Sequence, residues 1–231
     1  MTVFIFTGGE SPDLADAEIF FEGYRTADYI ICADSGLESY ESFFSKGLVN
    51  SRPDFLTGDF DSVQDRNILE NYRDVEQKIY SHDKDYTDSE LALMKAREVA
   101  GKDGTVVLIG GNGGRADHFL ALFDTFAREY HPDVWLCGPQ AIYLLKENKS
   151  LELSNVVPDD RISISRIPSE YEKTSMICKG LEWPVIFPRG FASLSNRISR
   201  EYFVSGKKIQ LTAETGSFLV FVPYGAKVQF F

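Results

Sequence analysis

Four short clusters of carboxylates, glycines and hydroxyls hold most of the residues in this chain that can do chemistry. In order they read Ala33-Asp34-Ser35-Gly36, Thr57-Gly58-Asp59-Phe60-Asp61-Ser62, Asp83-Lys84-Asp85-Tyr86-Thr87-Asp88 and Gly110-Gly111-Asn112-Gly113-Gly114-Arg115-Ala116-Asp117-His118. Asp59 and Asp61 flank one aromatic residue, so in an extended segment both carboxylates share a face and Phe60 turns toward the core. Asp83 and Asp85 repeat that spacing. Like charges crowded on one rim are unfavourable without a cation to offset them, and oxygen donors of this kind suit Mg²⁺. In the last cluster, four glycines let backbone N–H groups approach a phosphate. The helix start behind them adds positive potential, and Arg115 adds a planar fork of donors. The run is neither a Walker A loop nor the dinucleotide fingerprint, since both need a different spacing.

Each cluster also has a plainer reading. The D-x-D can be an Asx turn capping the next helix. Asp88 can serve only a helix N-terminus, Lys84 can offset its neighbours, and the glycine run can be a tight strand-to-helix connection. Asp34 can bind a ribose hydroxyl or a metal-bound water, or cap a helix. His118 fits a hydrogen-bonding role better than that of a base. Singly the clusters decide nothing; together they read as a metal–nucleotide site.

The elements that must position them alternate strand with helix. Strands are expected at Val3–Phe6, Tyr29–Ala33, Asp54–Thr57, Val75–Tyr80, Thr105–Ile109 and Val134–Cys137. Helices are expected from Pro12 to Phe21 behind a Ser11 cap, at Leu37–Phe44, at Val63–Tyr72, after a Thr87 cap, and along Phe119–Phe126. Repeated β-α units of this kind force a mostly parallel sheet flanked by helices, a Rossmann-like α/β unit. Every cluster then falls at a strand end, where such sheets build their sites. Near Gln140 to Ser150 the texture changes to strand-like segments without a strong amphipathic helix. Arg161–Ile167, Lys173–Cys178 and Glu201–Val204 are β-prone, and Lys207–Thr212 with Ser217–Val222 reads as a hairpin pair. The expected organisation is an α/β nucleotide- and metal-binding domain over 1–145 and a C-terminal antiparallel β-sandwich over 146–231.

Composition bounds the function. The 231 residues carry a net charge of −11, which argues against non-specific nucleic-acid binding but not against a nucleotide whose charge a cation offsets. Cys32, Cys137 and Cys178 form no C-x-x-C pair, and Cys32 and Cys137 sit in apolar runs as buried free thiols. The N-terminus lacks a signal-peptide pattern, and no apolar run approaches the roughly 20 residues of a membrane helix. The expectation is a cytoplasmic enzyme with no membrane partner.

The ordered set A-D-S-G, G-D-F-D-S, D-K-D-Y-T-D-S-E and G-G-N-G-G-R-A-D-H closely resembles the thiamine pyrophosphokinases. In the tail, Gly180-Leu181-Glu182-Trp183-Pro184 is similar to that family's G-L-[KE]-[WY]-P segment, and Ser193-Leu194-Ser195-Asn196 to its S-N segment. The resemblance implies an ATP:thiamine diphosphotransferase that uses Mg²⁺ and yields thiamine diphosphate and AMP. It also implies a nucleotide domain joined to a β-sandwich, and a homodimer with active sites at the subunit interface. By motif position, Asp59, Asp61 and Asp85 would hold the metal. Asp34, Ser35, Gly36, Lys84, Thr87, Asp88, Gly110, Gly111, Gly113, Gly114 and Arg115 would position ATP, and Asp117 would complete the acidic rim. The catalytic set would be Asp59, Asp61, Asp85, Asp88, Arg115 and Asp117, while Trp183, Ser195 and Asn196 would contact thiamine. Two positions depart from the pattern. Arg197 stands where the family commonly has an acidic residue, and Phe119-Leu120-Ala121-Leu122 replaces a common L-A-N run. Two other readings of the same residues are a Mg²⁺-dependent phosphohydrolase or nucleotidyltransferase, and a non-catalytic sensor that binds thiamine or a nucleotide.

Overall fold

Six parallel strands form in the first part of the chain, five of them in apolar, mostly buried runs and one, at the edge, in the exposed Glu76-Gln77-Lys78-Ile79. They are β1 (Thr2–Phe6), β2 (Tyr29–Ala33), β3 (Phe55–Gly58), β4 (Glu76–Ile79), β5 (Thr105–Ile109) and β6 (Val134–Cys137). The computed structural model describes residues 1–23, 27–80, 85–167, 174–185 and 192–231, and divides them into two units, Met1–Gly138 and Pro139–Phe231. Asp83 and Lys84 lie outside the described residues.

In the first unit the strand order is β6-β5-β1-β2-β3-β4, and each adjacent pair is parallel. The chain runs outward from β1 to β4, then returns to the other side of β1 with β5. The strand order therefore switches between β1 and β5, and open α/β sheets bind ligands outside the carboxyl ends of the strands at such a point. On β1, Phe4 meets Phe21 of α1 (Leu14–Gly23), and Phe6 meets Tyr40 and Phe43 of α2 (Gly36–Lys46), all edge-on at 5.3–5.5 Å. Val3 and Ile5, turned the other way by strand alternation, are also fully buried, so β1 is covered on both faces. A short turn, α3 (Asn67–Glu70), stands where a longer helix over Val63–Tyr72 was expected. There the Gln64 and Asp65 N–H groups donate to Glu38 Oε1, and Asn67 N–H donates to Asp65 Oδ1, so backbone donors are diverted from a helical ladder.

The helix α4 (Asp88–Ala100) begins as expected on Thr87, whose side chain accepts the Glu90 N–H while Glu90 reaches back to the Thr87 N–H at 2.9 Å. The α1 start differs. Asp13 Oδ1 accepts the Ala15 and Asp16 N–H groups, whereas Ser11 Oγ is bonded to Ser39 Oγ. Helix α5 (Ala116–Asp124) gives way to a 3-10 turn at Thr125–Ala127.

The second unit is a pair of antiparallel sheets. One has the order β11-β9-β13-β7, from Ala192–Asn196, Ile162–Arg166, Phe218–Pro223 and Gln140–Leu145. The other has the order β10-β12-β8-β14, from Ser175–Lys179, Ile209–Thr215, Ser150–Ser154 and Lys227–Phe230. The rings of Tyr143 on β7 and Phe230 on β14 lie 6.3 Å apart and link the two layers. Two tail expectations are corrected. The consecutive strands β12 and β13 are not a hairpin: β12 pairs with β10 and β8, while β13 pairs with β7 and β9 in the other sheet. Strand β13 is buried along most of its length and needs a neighbour on each side. Glu201–Val204 is helical rather than extended, inside α6 (Arg200–Val204) behind a Ser199 cap. Because β7 pairs with β13, the division between units falls at Gly138/Pro139, ahead of the 145/146 boundary expected from texture. All three cysteines are free, with Cys32 and Cys137 buried. No described helix is long and apolar enough to cross a membrane.

Candidate metal and nucleotide site

The carboxyl ends of β2 and β3 bring Asp34, Asp59 and Asp61 together, each offering an oxygen within 4.8 Å of the others. Three backbone conformations produce this convergence. Asp34 has φ of +49°, and its N–H donates to the Thr57 carbonyl at 2.8 Å, which ties the end of β2 to β3. Gly58 has φ of +136° and passes so near Asp34 that a Cβ would lie 3.1 Å from the Asp34 nitrogen. Phe60 has φ of +56° and is buried, so its ring anchors a left-handed turn between the two flanking carboxylates. Asp59 and Asp61 therefore meet through a turn, not through the pleat of an extended strand. Left-handed backbone at an aromatic residue is strained, and the packing around its ring must hold it there. Gly36 serves a different need, since a Cβ there would lie 2.2 Å from the Phe6 carbonyl oxygen.

Electrostatics at Asp34 distinguish this group from a solvated acidic face. Its Oδ1 is buried without a hydrogen-bond partner. Burial raises its pKa, and the charges of Asp88 and Asp59 push in the same direction. The Ser62 hydroxyl and Ser35 N–H hold it down only in part. An orphaned buried acceptor amid crowded oxygens fits a hard divalent cation. Asp85 is exposed and is not one of the three residues of this group. Asp88 opens α4 and is half-buried. The Thr87 N–H and hydroxyl both engage Glu90 in the helix cap.

The glycine loop is closely packed. The N–H groups of Gly110, Gly111 and Asn112 donate to the carbonyls of Leu136, Gly8 and Glu10, so these three are engaged within the fold. A Cβ on Gly111 would lie 2.3 Å from Leu122 Cδ1, and one on Gly113 would lie 2.3 Å from the Glu10 carboxyl carbon. Gly114 has φ of +64° with open space around it. The tight-connection reading thus accounts for the first part of the loop. Arg115 is exposed, and its guanidinium grips Asp117 through two bonds of 3.2 and 2.6 Å. That pairing holds the Asp117 carboxyl down at about 2.

In the second unit the two tail motifs lie side by side. Glu182 N–H donates to the Arg197 carbonyl at 2.9 Å and Ser199 N–H to the Gly180 carbonyl at 2.8 Å, with a bridge between Leu181 and Ile198. Asn196 is buried and bonds both backbone groups of Trp183, whose ring is exposed. Ser195 has φ of +56°, and its N–H donates to Ser163 Oγ at 3.0 Å.

Residues 22–137 match the family model described as thiamin pyrophosphokinase, catalytic domain. The chain belongs to the thiamin pyrophosphokinase family. The activity that goes with the family is ATP-dependent pyrophosphorylation of thiamine, and the chain is an enzyme of that type. Solved structures share the fold over nearly the whole length. A thiamin pyrophosphokinase family protein from Enterococcus faecalis is 17% identical with a TM-score of 0.69, covering 96% of this chain and 99% of its own. Thiamin pyrophosphokinase from Candida albicans is 16% identical with a TM-score of 0.67, at 96% and 88% coverage. Thiamine pyrophosphokinase from Bacillus subtilis is 18% identical with a TM-score of 0.61, at 96% and 99% coverage.

Within this thiamin pyrophosphokinase fold, two site features escape sequence reasoning. Glu10 reaches the glycine loop, with Asn112 Nδ2 donating to its Oε2 at 3.4 Å. The signal available was Thr7-Gly8-Gly9-Glu10, another polar glycine turn directly after a strand. The bracketing of Trp183 by Asn196 left no local signal, because thirteen residues separate them.

Proposed function

We propose that this chain transfers the terminal diphosphate of ATP to the thiamine hydroxyl, giving thiamine diphosphate and AMP, with Mg²⁺ held by Asp34, Asp59 and Asp61. The observation that carries the metal assignment is the orphaned Asp34 Oδ1 inside a three-carboxylate group at the strand ends. Bound there, Mg²⁺ supplies positive charge to the polyphosphate and the leaving nucleotide.

The chain's own residues do the positioning, which is most of what phosphoryl transfer asks of a protein. The Asp34 and Phe60 turns fix the carboxylates before substrate arrives. The N-terminus of α4, with Thr87 and Asp88, and the Gly113–Arg115 end of the glycine loop face the polyphosphate. Arg115 neutralises charge there and is kept in a fixed orientation by Asp117 until a phosphate competes for its donors. Gly36, Gly110 and Gly111 serve by letting chains pass closely. Ser35 lies beside Asp34, and the exposed Asp85 belongs to the outer rim. The exposed Trp183 ring offers a flat surface to a cationic aromatic substrate, with Asn196 holding its backbone and Ser195 beside it.

The assembly we propose is a homodimer. Exposed Ile177 and Leu194, on the edge strands β10 and β11, support it. The free, buried thiols are consistent with a cytoplasmic location.

The test is to incubate the purified protein with ATP, Mg²⁺ and thiamine and to follow AMP and thiamine diphosphate together. Equal appearance of both, abolished by chelation, is the expected result. AMP, ADP or pyrophosphate released without thiamine would assign the acidic rim to another substrate. Binding without turnover would make the chain a sensor.

A further inference from the structure

We propose that Arg197 sets the affinity of this chain for its cationic substrate by competing, from within the protein, for the face of Trp183. The proposal rests on the reading above, in which Trp183 meets thiamine. Arg197 Cζ lies 5.0 Å from the centroid of the Trp183 ring, within the range of a cation–π contact. Trp183 is half exposed, at 50%, whereas Trp135 is fully buried.

Backbone pairing fixes the contact. Glu182 N–H donates to the Arg197 carbonyl, and Asn196 Oδ1 accepts the N–H groups of both Trp183 and Arg197, at 3.2 and 2.9 Å. Trp183 and Arg197 are thus held together whatever the Arg197 side chain does. Among the described residues the Arg197 guanidinium has no ion-pair partner.

A tryptophan ring offers a cation two faces, and one of them here already carries a guanidinium. Guanidinium is weakly hydrated and stacks well on aromatic rings, so the contact forms without a large desolvation cost. A thiazolium-type cation approaching that face must displace Arg197, and one approaching elsewhere on the ring meets its positive charge. Either way the substrate binds more weakly than it would to a bare Trp183. The effect lies on substrate binding, because Arg197 donates nothing to the carboxylates of the metal group.

The test compares wild type with Arg197→Gln, Arg197→Met and Arg197→Lys. Gln and Met remove the charge and are expected to lower the thiamine KM about threefold to tenfold, with kcat and the ATP KM unchanged. Lys keeps the charge and is expected to stay near wild type. A direct Kd comes from Trp183 fluorescence on titration with thiamine, over the steady background of Trp135, which is buried and bonded to the Gly110 carbonyl at 2.7 Å. A thiamine KM and Kd that stay the same or rise in both uncharged variants, with normal wild-type turnover, overturn the proposal alone. Wild-type protein that releases no AMP in response to thiamine overturns the diphosphotransferase reading and this proposal with it.

Discussion

Asn196 grips Trp183 by the backbone, accepting its N–H at 3.2 Å and donating to its carbonyl at 2.9 Å. A buried carboxamide therefore holds the backbone that carries an exposed indole. The family resemblance implies that Asn196 contacts thiamine; its observed bonds hold the backbone of Trp183, the side chain proposed to meet the substrate.

Asn196→Ala should cost about 1–3 kcal/mol of stability, because it takes a partner from three part-buried backbone groups, the Trp183 N–H and carbonyl and the Arg197 N–H. Urea unfolding measures the loss, and the thiamine KM should rise as Trp183 loses its fixed orientation. Asn196→Asp keeps the acceptor and should lie between. A thiamine KM unmoved by the Ala substitution would separate Trp183 from substrate binding.

The carboxylate group should be unstable without its cation. Asp34 has a raised pKa in the folded state, so its charge opposes folding at neutral pH, and that cost is relieved as pH falls through the folded pKa. In EDTA, Asp34→Asn should raise Tm by about 2 °C and flatten its pH dependence on the acid side of neutrality. Mg²⁺ should raise the wild-type Tm and leave those of Asp34→Asn and Asp61→Asn unmoved, and both variants should lack turnover. An equal Mg²⁺ effect in all three proteins would remove the metal from this site.

Two glycines of one loop should respond differently to the same methyl group. Gly111→Ala places a Cβ against Leu122 at φ of +77° and should cost about 3 kcal/mol. Gly114→Ala meets only the left-handed backbone penalty, about 1 kcal/mol, and should act on the ATP KM more than on stability. Chemical denaturation with steady-state kinetics distinguishes them, and equal losses of stability would contradict the packing argument.

Arg97 joins α4 to the loop before β6. It donates to the carbonyls of His131 and Gly104 and to Asp133 at 2.6 Å, and Asp133 also accepts the Val106 N–H at 2.9 Å. Both side chains are largely buried, 14% and 21% exposed. Arg97→Met should cost about 3 kcal/mol by leaving Asp133 without its cation. Substrate KM values measured well below the lowered melting temperature should match wild type.

Asp117 should titrate near 2, since Arg115 favours its charged form. The stability this pair adds is present above the ordinary carboxyl value of 3.8 and is lost as pH falls toward the folded value. In ¹³C NMR of the carboxyl groups, Arg115→Gln should return the Asp117 midpoint to the ordinary range. A midpoint that stays near 2 in the variant would assign the shift to another donor.

Much of the first unit was legible because local signals and tertiary structure agree there. Val-Val-Leu-Ile after Thr105 can be little else than a buried strand, and Thr87 with Glu90 three residues later marks a helix start by its own hydrogen bonds. Glu201–Val204 was misread because strand propensity in four residues is weak beside one Ser199 cap. Strands β7, β8 and β14 were not singled out, because they gain their stability from partners far along the chain.

By itself the sequence determined the alternation of elements, the placing of acidic and glycine clusters at strand ends, and the motif order that marks the family. Those features depend on residue type and near-neighbour spacing, which a linear reading contains. Tertiary structure alone decided which clusters meet. The left-handed turns at Asp34 and Phe60 bring Asp34, not Asp85, to Asp59 and Asp61. The approach of the Gly8–Glu10 segment engages the first glycine-loop N–H groups, and β12 and β13 part into opposite sheets. Each outcome is set by contacts between segments distant in sequence, whose energies no local pattern records.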